Sequence, residues 1–202
     1  MKALDLLAWL RSRRSARYFR REAVPAEVLQ RILETATWAP NAHNRQPWRF
    51  VQLAGTQSRQ TLLAAMQPGF EAALLAEGLD AASRAAQVAR SRQRVLDAPE
   101  VLLLCLDTEV LNHYQDPQRN QGEYLMGVQS VALAGGQLLL AAHAEGLGGV
   151  WVCAPLFAAE PVGQALELPR SWQAQGMILL GYAAGEPKRR QRLDVDQIFR
   201  RI

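Results

Sequence analysis

From Glu123 to Ala144 the chain runs through its longest apolar stretch, and any fold it adopts has to cover that segment. About twenty residues would span a membrane by count. Gln129, Ser130, Gln137 and the paired Gly135 and Gly136 interrupt the run, and no second stretch of the kind accompanies it. The expectation is therefore a central helix without membrane contact, apolar all round because it is buried, in part against a partner subunit. Gly127, Ala132, Ala134, Gly135 and Gly136 would let a neighbouring helix approach closely.

The other elements are arranged around this one. Residues 2–11 read as a short helix with Leu4, Leu7, Ala8 and Leu10 inward. Val24-Pro25-Ala26-Glu27 opens a second helix with Pro25 in its first turn, and Val28, Leu29, Ile32, Leu33 and Ala36 recur at three-and-four spacing. A short strand is expected at 50–53, then a helix from Thr56 to Met66 that Pro68-Gly69 breaks. Residues 68–97 form an excursion of two helices with Asp80 as an N-cap, serving either as a lid or as a packed hairpin. Val101 to Leu106 fits a strand covered on both faces, Tyr114 to Arg119 a polar turn, and Val150 to Cys153 a strand after the Glu145–Gly149 glycine turn. A short helix within 155–168 and a buried strand over 176–183 complete an α+β pattern, a single domain over 1–202 with no linker and no internal repeat.

Between the second helix and the first strand lies a polar loop, residues 39–50. Pro40 should stop the helix and Pro47 should hold Gln46 extended, with His43, Asn44, Arg45 and Gln46 offering donors and acceptors in consecutive positions. Such a loop suits the edge of a flat polar ligand; a solvated connection that satisfies its own backbone has the same composition.

Charge narrows the ligand. The 23 Lys and Arg exceed the 19 Asp and Glu by only four, but Arg11, Arg13, Arg14, Arg17, Arg20 and Arg21 crowd one end and Lys188, Arg189, Arg190 and Arg192 the other. Guanidinium groups packed this closely repel one another unless an anion or carboxylates neutralise them, and a phosphate held by both clusters would do so; a solvated basic helix end that favours the helix dipole has the same residues. Nucleic acid is not expected as a partner, because aromatic residues are not interleaved with the basic ones.

Cys105 and Cys153 each lie in an apolar run and read as buried free thiols of a reducing, cytoplasmic compartment. Two Cys and three His at no ligand spacing make a metal site improbable. Gly146, Gly148 and Gly149 follow a helix and precede a strand, the reverse of a dinucleotide fingerprint, and look like a turn permitting close backbone approach. No serine or cysteine has a nucleophile's surroundings, so any hard chemistry would belong to a bound cofactor.

Four motifs in one order carry a resemblance. Arg13-Arg14-Ser15-Ala16-Arg17, the Ala39 to Trp48 loop, Gly146-Leu147-Gly148-Gly149-Val150-Trp151-Val152 and the basic tail together resemble the nitroreductase family of flavin enzymes over nearly the entire chain. Asp97-Ala98-Pro99-Glu100-Val101, Tyr114-Gln115-Asp116 with Arg119 and Glu123, Gln137-Leu138-Leu139, and Leu168-Pro169 with Trp172 are similar to the nitroreductase-like C-terminal domain of the ligase that makes the deazaflavin coenzyme. The resemblance implies a mixed central sheet flanked by helices, in a homodimer with a flavin site at each end of the shared interface. It implies FMN as cofactor, with the phosphate held by Arg13, Arg14 and Ser15 and by Arg190 and Arg192, or by Lys188 or Arg189 in place of Arg190. Arg17 would lie near the pyrimidine edge, Asn44 would bond the flavin or its ribityl chain, and Gln46 would support the loop. The backbone from Trp151 through Cys153 to Ala154 would approach flavin N5, and Cys153 stands where many relatives have glycine or an acidic residue. The activity implied is a ping-pong transfer of hydride from NAD(P)H to a small nitroaromatic, quinone or enone acceptor. The alternatives are a deazaflavin-related reductase and a flavin-binding module without nicotinamide turnover.

Overall fold

The computed structural model describes residues 3–187 and 189–202. Four apolar segments make its sheet: β1 (Trp48–Gln52), β2 (Glu100–Asp107), β3 (Gly148–Val152) and β4 (Trp172–Gly181). They pair in the order β1-β2-β4-β3, each pair antiparallel, and the parallel component is a bridge between Ser15 and Gly149. The run Val101 to Asp107 is buried throughout because β2 lies between β1 and β4 and has both faces covered.

One face carries α2 (Ala26–Ala36) and α5 (Pro117–Ala144), whose Leu29, Ile32, Val131, Ala134 and Leu138 join Leu102, Leu104 and Leu106 in one core cluster. The other carries α3 (Thr56–Ala76), α4 (Ala81–Asp97) and α6 (Ala159–Ala165), where Leu62, Met66, Val95 and Val162 pack on Leu103, Cys105 and Met177. The alternation of β2 side chains between the two clusters follows from the two-residue period of a strand. Two short helices lie at the ends of the chain, α1 (Ala3–Ser12) and α7 (Val195–Ile198).

Several expectations change. Pro68 does not break its helix: α3 continues through Pro68 and Gly69 to Ala76, because Leu62, Leu63 and Met66 on one side and Leu74 on the other are all buried. That packing outweighs the single hydrogen bond a proline removes. The excursion is thus the second half of α3 plus α4, and Asp80 does cap α4, its carboxylate accepting from the Ser83 amide at 2.9 Å. Pro25 is the residue before α2 rather than in its first turn. Tyr114 to Arg119 is only in part a turn, since Asp116 caps α5 and Pro117 begins it.

The first helix is not buried as expected. In α1 no residue is buried, and Leu4, Leu7 and Leu10 face outward; Trp9 is the residue turned in, stacking on His143 at 5.0 Å. On α5 the apolar character does go all round, but Leu125 and Leu133 on its far face remain about half exposed, at 50% and 49%. Gly135 serves Trp151 rather than another helix: a Cβ there would sit 2.1 Å from the indole, and one at Gly176 would sit 2.8 Å from it on the β4 side.

Candidate functional site

The basic run at the start of the chain is laid across the ends of β3 and β4 by backbone bonds. Ala16 N–H donates to the Gly149 carbonyl at 3.1 Å, Arg20 N–H to Tyr182 at 2.8 Å, and Ala184 N–H to Tyr18 at 3.0 Å. The approach needs glycine. A Cβ at Gly148 would lie 2.6 Å from that of Ala16, so the glycine turn does permit the close contact its sequence implies. The same ladder turns the chain after Ala184 back over residues 13–18, which brings the second basic cluster to the first.

A cavity of about 560 Å³ results, lined by Arg13, Arg14, Ser15 and Arg17 from one side and Arg190 and Arg192 from the other. Every phosphate ligand inferred from the sequence within the described residues lines it, Arg189 excepted; Arg189 lines an adjoining hollow, and Lys188 lies outside the described residues. Glu186 is the one carboxylate in the lining. Burial lowers the pKa of Arg13, and the neighbouring cations Arg192 and Arg14 lower it further. Such a cradle fits the phosphate of a nucleotide-like cofactor.

Behind it, sequence reasoning missed a supporting cluster. The Ser12 hydroxyl has one proton and donates it to the Trp9 carbonyl at 2.6 Å, so the 2.8 Å contact with His143 is a bond that the imidazole Nε2–H donates. Burial, followed by Arg13, lowers the His143 pKa and keeps the ring neutral beside the arginines.

The central loop is elsewhere. Asn44 and Gln46 are exposed, neither lines the arginine cavity, and Gln46 is not extended before Pro47: its φ is +50°, with His43 at +53° and Asn44 at +51°. Three non-glycine residues in the left-handed region need tertiary support. It comes from residues that look unremarkable in the sequence. Asn41 accepts from the Gln46 amide at 2.8 Å, Ser130 on α5 accepts from the Ala42 amide at 3.2 Å, and Arg45 donates to Asn112. Asn112 in turn donates twice to one oxygen of buried Glu123, at 3.1 and 3.2 Å. The loop is held in an uncommon shape, outside the lining of its own chain's arginine cavity.

At the other end of β3 the backbone from Trp151 through Ala154 forms a short strap. The Trp151 ring is fixed in the core by Gly135 and Gly176. Cys153, expected to be buried, is exposed, because the strand has ended and Cys153 caps the 3₁₀ turn Ala154–Ala158. Cys105 is buried as expected and its thiol is pushed up to about 12 by burial. Ala154 opens on a second cavity of about 580 Å³ between that turn, α3 and α4. No cluster of three metal-ligating side chains occurs among the described residues.

The profile of the nitroreductase family matches residues 10–182. A protein of Methanothermobacter thermautotrophicus assigned as an NADH dehydrogenase or NAD(P)H nitroreductase is 27% identical over 197 residues, 96% of this chain and 86% of that protein. The 5,6-dimethylbenzimidazole synthase of Rhodospirillum rubrum is 30% identical over 178 residues, 86% of this chain and 80% of the synthase. Among solved structures, a protein of Desulfovibrio desulfuricans assigned as a nitroreductase, in complex with FMN, superposes with a TM-score of 0.75 at 26% identity, covering 98% of this chain and 96% of that one.

Proposed function

The chain belongs to the nitroreductase family, and on that premise we propose that it is an FMN-dependent oxidoreductase passing hydride from NAD(P)H to a small organic acceptor of nitroaromatic, quinone or enone type. The observation that carries this reading is the cavity in which Arg13, Arg14, Ser15 and Arg17 meet Arg190 and Arg192 against a single carboxylate. FMN, when bound, supplies the two-electron relay between donor and acceptor; each turnover moves one hydride and one proton.

The residues have separable tasks. Arg13, Arg14 and the Ser15 hydroxyl hold the phosphate, with Arg190 and Arg192 closing over it. Arg17, free of any carboxylate partner among the described residues, places positive charge beside the pyrimidine edge. The strap from Trp151 to Ala154 presents backbone to the reacting edge of the ring, and Cys153 adds a thiol there in place of an acid or a glycine. No side chain of this set is needed as a nucleophile or a general base.

Asn44 and Gln46 join the site from a second copy of the chain. Two observations support a homodimer: those side chains do not line their own chain's cavity, and Leu4, Leu7, Leu125 and Leu133 leave apolar surface uncovered on α1 and α5. We place the protein in the cytoplasm, since a free exposed thiol is at home in a reducing compartment.

Visible absorbance of the purified protein, before and after anaerobic NADPH or NADH, tests the proposal. Flavin bands that bleach are expected. Bands that persist would replace the nicotinamide donor with reduced deazaflavin, or leave a binding module without nicotinamide turnover. Absence of bands after FMN addition would overturn the site.

A further inference from the structure

The second cavity is built as a binding site in its own right. We propose that it takes a flat, apolar molecule carrying one anionic group, and, resting on the function proposed above, that it is the subsite for the body of the acceptor. Its walls are Leu63, Met66 and Phe70 of α3, Val88 of α4, and Phe157 and Ala158 of the 3₁₀ turn, around about 580 Å³. That volume is within the range of small-molecule sites, and two phenylalanines offer ring faces and edges to a planar guest. Phe157 is 84% exposed, so most of its ring is free to meet a guest.

One charge specifies the guest. Arg92 of α4 lines the cavity and is partly buried, yet it makes no ion pair among the described residues, where the pairs formed are Arg20–Glu22, Arg31–Glu145 and Arg49–Asp107. A guanidinium without a carboxylate partner beside apolar walls favours a carboxylate or similar planar anion, which it can grip with two parallel hydrogen bonds. Glu77, exposed at the same cavity, opposes a guest with several negative charges. One cation against one anion at the cavity favours a guest with a single negative charge over one with several.

Position links the cavity to the proposed chemistry. Ala154 belongs both to its wall and to the strap expected beside the flavin's reacting edge. Space within α3 is provided by Gly69, which lines the cavity and at which an added Cβ would meet nothing within 4 Å.

The test is calorimetric titration of 4-nitrobenzoate, and of uncharged 4-nitrobenzamide, into FMN-saturated protein without any electron donor. The expected result is tighter binding of the benzoate by about tenfold or more, the scale of a charge-assisted hydrogen-bond pair. Arg92→Gln is expected to abolish that preference. Gly69→Leu, whose Cβ meets nothing within 4 Å and which favours the helix, is expected to weaken both ligands about tenfold or more by filling the space. Benzoate binding that ignores both substitutions, or no binding to protein whose flavin bleaches with NAD(P)H, would overturn the cavity assignment. Arg92-dependent binding to protein that takes up no flavin would uphold the cavity while removing the function proposed above.

Discussion

Single side chains decide whether the arginine cavity exists. Gly148→Ala forces a methyl to within 2.6 Å of Ala16 and lifts the basic run from β3. We expect a loss of about 1–3 kcal/mol in stability from overpacking, and FMN affinity lowered by about tenfold or more in fluorescence-quenching titrations. The two thiols make a sharper contrast. In native protein a thiol reagent should modify Cys153 alone, and after denaturation Cys105 as well. Cys105 also predicts a pH effect: burial raises its folded pKa from 9.0 to about 12, so the folded state holds the proton more tightly than the unfolded state. Its contribution to stability is complete below pH 9.0 and is lost as pH rises toward 12; urea midpoints measured across that window should fall, and should fall less in Cys105→Ala. The thiols also mark where the sequence misleads. Both sit in apolar runs, but strand β3 ends one residue before Cys153, and an apolar run does not say at which residue a strand stops.

Elements were legible where their periodicity matched their burial and obscure where tertiary contacts decided. α2 and β2 follow directly from the spacing of Leu29, Ile32 and Ala36 and from the run Val101 to Leu106. Pro68 is the opposite case: local chemistry argues for a break, and buried residues on both sides of it hold one helix. Pro68→Ala restores the amide that the Ala64 carbonyl lacks, and urea denaturation should show a gain of about 1–3 kcal/mol. Arg59 was equally hidden, because an arginine on an amphipathic helix reads as a solvated charge. In the fold it is 8% exposed and donates to the carbonyls of Leu53 at 2.9 Å, Pro99 at 2.8 Å and also Ala98, fastening the end of β1 and the exit of α4 to β2. Arg59→Met should cost about 2–4 kcal/mol by leaving these carbonyls unpaired. The hydrogen bonds that frame the central loop through Asn41, Asn112, Ser130 and Glu123 were hidden for a different reason: they join residues distant in sequence that share no pattern.

For the whole molecule, the site is shared between distant parts of the chain and, in the dimer we propose, between two chains. Leu125→Arg combined with Leu133→Arg adds charge to the uncovered face of α5 without touching either cavity. Sedimentation should show a monomer, and the monomer should bind FMN weakly because Asn44 and Gln46 no longer reach it. Weak flavin binding in a variant that still sediments as a dimer would break that link. The ladder joining Tyr18 and Arg20 to Tyr182 and Ala184 has a consequence in time as well as in space. Arg13 and Arg192 have nearly the whole sequence between them, so the first half of the phosphate cradle is translated long before the second. A ribosome still elongating through β4 presents arginines with no lid over them. A cradle that needs both clusters can therefore close over its cofactor only after β4 and the residues through Arg192 have been translated.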